Sequence, residues 1–109
     1  MSYNSEYISN IEIDGADNLV FTLRDEMSWN GKIDEKQHLS VIQDKINACL
    51  AYIQTRTFKM DFPDIEIKNA IIEIKFKDMY TEHCKRYLQL VHTQLMEYGI
   101  RLDIYVDKK

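Results

Sequence analysis

"AIIEIKFKDMYTEHCKRYLQLVHTQLMEYGIRLDIYV", residues 70–106, decides the fold of this chain. Its first part alternates, with Ile72, Ile74 and Phe76 on one side of an extended segment and Glu73, Lys75 and Lys77 on the other. Its last part alternates in the same way, Ile100, Leu102, Ile104 and Val106 against Arg101, Asp103 and Tyr105. Between them Cys84, Leu88, Val91 and Leu95 recur at the period of a helix with one apolar face. Thr81 is placed to cap that helix, and Gly99, just past Tyr98, to end it. A strand, a helix and a strand in this order form a right-handed crossover, which makes the two strands parallel.

Toward the N-terminus, "TFKMDFPDIEIKN", Thr57–Asn69, reads as an irregular connector broken by Pro63. Ile65 and Ile67 have the wrong parity for the strand that follows, so that strand begins near Asn69 or contains a bulge there. Before the connector, Leu39, Ile42, Ile46, Cys49, Leu50 and Ile53 draw one apolar stripe on a helix spanning about Glu35 to Arg56. Asp34 is its N-cap, with Gln37 at the capping-box position. Earlier still, Ile11 and Ile13 flank Glu12, and Leu19, Phe21 and Leu23 alternate with Val20, Thr22 and Arg24. Asp14, Gly15 and Asp17 supply turn chemistry between the two runs, Gly15 taking positive φ freely, so they form a β-hairpin. The element order is β-β-α-β-α-β. It predicts an α+β two-layer sandwich, a four-stranded mixed sheet with two helices on one face and a solvated, charged surface on the other.

The totals agree with a single domain over residues 1–109, with residues 1–7 outside its ordered part. At 109 residues and 45% hydrophobic content the chain has enough material for one core, burying roughly 65% of its unfolded surface. Three glycines and one proline leave no room for a long linker. The start, "MSYNSEYISN", has neither a basic segment nor an apolar run, and no apolar stretch is long enough for a membrane helix. Cys49 and Cys84 fall on apolar helix faces and read as reduced core residues, which points to the cytoplasm.

Catalytic and metal chemistry find little support in these residues. His83 and Cys84 are neighbours on a helix and diverge by about 100°. His83 and His92 are out of phase, and His38, ahead of the first helix's apolar stripe, has no second ligand three or four residues on. The three glycines are too scattered for a phosphate-cradling loop. Lys75, Lys77, Lys85 and Arg86 lie near Tyr80 and Tyr87, a pattern that single-stranded nucleic acid could use, but Glu73, Asp78 and Glu82 interrupt it. The expectation is therefore a protein that is not an enzyme, with no cofactor, metal, nucleic acid or membrane partner.

Charge is distributed unevenly. Met1–Glu35 holds eight carboxylates and two cations, a net −6, whereas the remaining 74 residues carry a net +2. The acidic third includes "DNLVFTLRDEMSWNG", Asp17–Gly31, where a strand runs into the single tryptophan. Asp25, Glu26, Trp29, Asp34 and Glu35 make a candidate partner-binding site, an aromatic anchor within an acidic rim suited to a basic protein. Packing of Trp29 against the core is the competing role, and both hold if the indole is buried and the rim exposed.

The run "DNLVFTLRDEMSW" followed by "HLSVIQDKINACLAYIQT" resembles a family of small bacterial proteins of unknown function, similar to proteins of toxin–immunity systems. Asp25, Trp29, Leu39, Lys45, Ile46, Asn47, Tyr52 and Ile53 carry the resemblance, which covers most of the chain, from Ile11 to Val106. Thr55–Phe58 departs from it where a serine–glycine turn is expected. The resemblance implies a binding protein that neutralises a toxin by direct contact. The other reading is a self-associating structural or housekeeping protein, a monomer or weak homodimer that pairs through an edge strand such as Ile100–Val106.

Overall fold

A computed structural model describes residues 7–27, 29 and 35–107. The chain enters through the hairpin of β1 (Asn10–Ile13) and β2 (Leu19–Asp25), which pair antiparallel with Ile11 opposite Phe21. Asp14 builds the turn: its Oδ1 accepts the N–H groups of Ala16 and Asn18, each at 2.9 Å. The left-handed residue of the turn is Asp17, at φ 63°, and not Gly15. A short polar side chain tolerates that region, and the Asp14 carboxylate already fixes the bend.

α1 follows (Glu35–Gln54), then the one-turn α2 (Phe58–Asp61), β3 (Ala70–Phe76), α3 (Glu82–Met96) and β4 (Ile100–Val106). The four strands lie in sequence order across one mixed sheet. β2 and β3 are parallel with Leu19 beside Ala70 and Asp25 beside Phe76, and β3 and β4 are parallel with Phe76 beside Val106. The fold is thus α+β with the expected strand and helix order, plus a third helix. α3 starts at Thr81, whose side chain accepts the Cys84 N–H at 3.1 Å, and Gly99 leaves it at φ 74°.

The extra helix has a local cause. α1 ends with Arg56 at φ 58°, its N–H on the Ile53 carbonyl (3.1 Å) and the Thr57 N–H on the Tyr52 carbonyl (3.2 Å). That is a Schellman ending with arginine where glycine usually stands. It turns the chain back, so that Phe58 and Phe62 pack on the core and the Tyr52 hydroxyl donates to Asp61 at 2.7 Å. Pro63 follows once the turn is complete.

One hydrophobic cluster joins Leu19, Phe21 and Leu23 of β2, Ile72, Ile74 and Phe76 of β3, and Ile100 and Leu102 of β4 to the buried sides of α1 and α3. On α1 the buried line is His38, Ile42, Ile46, Ala48, Cys49 and Tyr52, while Leu39, Leu50 and Ile53 are half-buried at its margin. It is rotated from the apolar stripe to take in two polar residues, His38, bonded to buried Asp25, and Tyr52, whose hydroxyl reaches out to exposed Asp61. The opposite side of the sheet is less solvated than the alternation suggests. Val20, Thr22 and Ile71 are buried there, in rows shared with Glu12 and Arg101 and with Asn10, Glu73 and Asp103.

Candidate functional site

β2 delivers Asp25 to the end of the sheet on the same side as Phe21 and Leu23, so the carboxylate points inward. Two backbone contacts hold it there: Met27 N–H donates to Oδ1 at 2.9 Å, turning the chain off the strand, and Lys77 N–H donates to the Asp25 carbonyl at 2.9 Å. The first turn of α1 brings His38 over it. Nε2 of His38 and Oδ2 of Asp25 are 2.6 Å apart, with the residues 0% and 3% exposed. A carboxylate only accepts, so Nε2 carries the proton of this charge-assisted bond.

Trp29 lies flat on the imidazole, centroids 3.6 Å apart and planes 20° from parallel. Phe76 extends the aromatic contact at 6.3 Å from the indole, and Tyr80 continues it at 5.1 Å from Phe76. His38 Nδ1 and Trp29 Nε1 are buried without a hydrogen-bond partner among the described residues.

A second polar link sits beside this stack. Glu35 accepts the Thr81 hydroxyl with one carboxylate oxygen, and the other lies 3.4 Å from His83 Nδ1, which fastens the start of α1 to the start of α3. The Thr81 bond, with a smaller contribution from His83, holds the Glu35 carboxyl below its ordinary value. Cys84, one residue beyond His83, is fully buried. Burial, and then the negative charges of Asp25 and Glu35, push its thiol up to about 12. His83 faces outward and Cys84 inward, so the two do not form a thiol–imidazole pair.

Of the five residues proposed from sequence, Asp25 is internal, Trp29 is half-buried on His38, and Glu26 is exposed. Glu35 is half-exposed and engaged with α3, and Asp34 lies outside the described residues. His38 joins Asp25 to Trp29, and sequence reasoning set it ahead of the apolar stripe. The signal was its place four residues before Ile42, in line with Ile46 and Cys49. Elsewhere, an apolar groove of about 910 Å³ lies between Leu19, Ile53, Phe58, Phe62 and Tyr98. A charged depression of about 570 Å³ holds Arg24, Glu26, Lys75, Lys77 and Tyr105. Neither contains His38. The described residues include no group of three or more His, Cys, Asp or Glu arranged to hold a metal, and none of their helices is long and apolar enough to cross a membrane.

The imidazole and its carboxylate are both buried. The pair works as a brace that ties the end of β2 to the first turn of α1. This is a small α+β domain with a buried Asp–His pair under a stacked indole. The chain belongs to a family of unknown function, DUF6572, whose model matches residues 1–108. No curated protein and no solved structure matches it.

Proposed function

We infer that this domain is a non-catalytic protein-binding module of the bacterial cytoplasm, an immunity-type protein that neutralises a basic toxin by direct contact. The observation that carries the reading is the buried brace. A buried Asp25–His38 pair under half-buried Trp29 fixes the backbone on both sides of an acidic junction, where Glu26 is exposed and Glu35 half-exposed. The net −6 of the first 35 residues supports the choice of a basic partner, since complementary charge speeds encounter and excludes like-charged competitors. Two free, buried cysteines suit a reducing compartment. The reading takes the molecule as two layers, α1 and α3 both over the Phe21–Ile72 side of the sheet. The single core cluster that both helices share supports that layout.

Co-expression with the protein encoded immediately upstream in the genome tests it. Rescue of growth together with co-elution on gel filtration is expected, and the absence of both toxicity and complex overturns it. Changing Glu26, Asp34 and Glu35 together to lysine should weaken the complex by about tenfold or more while circular dichroism keeps its native shape. Glu35→Gln serves as the control for the lost Thr81 contact. An unchanged affinity removes the acidic surface from the interface.

A further inference from the structure

Among the described residues, β4 is the last strand of the sheet and is paired along one side only. Asp107 donates its N–H to the Phe76 carbonyl at 2.8 Å. Alternation along the extended chain therefore turns the backbone groups of Arg101, Asp103 and Tyr105 toward β3, and those of Ile100, Leu102, Ile104 and Val106 away from it. The outer rim of the sheet is a seven-residue row, "IRLDIYV", without proline or lysine to blunt it. The other edge strand, β1, has only four residues.

The charges on β4 are self-complementary. Arg101 and Asp103 stand two residues apart on one side of the strand, in contact at 3.2 Å. We propose that a second copy of this chain adds to the edge in the antiparallel sense, centred on Leu102, to give one continuous eight-stranded sheet. In that register Leu102 meets its own copy and Ile100 meets Ile104, the residues whose backbone groups face outward, so these pairs exchange the hydrogen bonds. Arg101 then meets Asp103 of the copy, and Asp103 its Arg101. Both pairs fall at non-hydrogen-bonded positions, where opposing side chains come closest. Centring the pairing on Asp103 sets two carboxylates face to face, and a one-residue slip puts isoleucines among the charges.

A second feature favours the same occupant. Between β4 and α3 lies a groove of about 340 Å³ lined by Tyr80, Leu88, His92, Leu102 and Ile104. Ile104 and Val106 are only half-buried beside the core. A copy joined at the edge extends the apolar row of Ile100, Leu102 and Ile104 past this groove and covers it.

Sedimentation of the full chain over a concentration series into the tens of micromolar tests the proposal, and a reversible dimer is expected. Arg101→Asp, at an exposed position, and Asp103→Arg should each weaken dimerisation by about tenfold or more, because each turns two attractive pairs into repulsive ones. The double variant R101D/D103R restores both pairs and should return close to the wild-type constant. Circular dichroism checks that the variants keep the fold, and the double variant decides the question if one single variant does not. A chain that stays monomeric, singles that dimerise unchanged, or a double variant that fails to recover overturns the proposal.

Discussion

His38 has two unlike contacts, a carboxylate at its Nε2 edge and an indole on its face. Removing the ring leaves Asp25 at 3% exposure without its side-chain partner and opens a hole beneath Trp29. His38→Ala should therefore cost about 3–5 kcal/mol, the loss typical of breaking a buried pair from one side. Asp25→Asn keeps the shape and the acceptor for Met27 N–H, and should cost less, about 1–3 kcal/mol. Urea unfolding measures both, and an Asp25→Asn loss larger than that of His38→Ala would mean that the pair is not the brace. Little of this unit was legible in the sequence. Hydrophobic periodicity ranks positions by apolarity, so a buried histidine counts against the very face it belongs to. Its carboxylate partner is 13 residues away, at a spacing no local pattern encodes.

At the scale of elements, α3, β3 and β4 were readable because long periodic runs carried their own start and stop signals, Thr81 and Gly99 among them. α2 was not, since a single turn is shorter than one period of any pattern. It exists because the Arg56 ending redirects the chain and Phe58 and Phe62 find the core. An arginine at φ 58° pays a Cβ penalty that glycine does not. Arg56→Gly should thus stabilise the domain by about 1 kcal/mol, a rise in Tm of roughly 4–8 °C for a domain of this size. A thermal melt checks it; a fall in Tm would show that the arginine side chain contributes more than its backbone costs.

For the molecule as a whole, the charge imbalance was visible in the sequence, but which carboxylates face outward was not. Asp14 and Glu35 are both held below their ordinary values of 3.8 and 4.5, Asp14 chiefly by the Asn18 backbone N–H and Glu35 chiefly by the Thr81 hydroxyl. The folded state binds these protons less readily than the unfolded chain. Their stabilisation is complete above the ordinary values and is lost as pH falls through the lower, folded ones. Because Asp14 closes the β1–β2 turn and Glu35 joins α1 to α3, acid should loosen the hairpin and the helix junction together. Unfolding free energies measured from neutral pH downward should decline below about pH 4.5. Asp14→Asn and Glu35→Gln should each flatten that decline, and a slope that neither variant alters would place the acid sensitivity elsewhere.

The indole on His38 belongs to the only tryptophan in the chain. Its ultraviolet emission therefore comes from one known place, stacked on His38 with Phe76 nearby, at the junction of β2 and α1. Emission excited near the red edge of the protein absorption band should report whether that stack is closed. If the proposed partner binds at the acidic junction, that emission should shift.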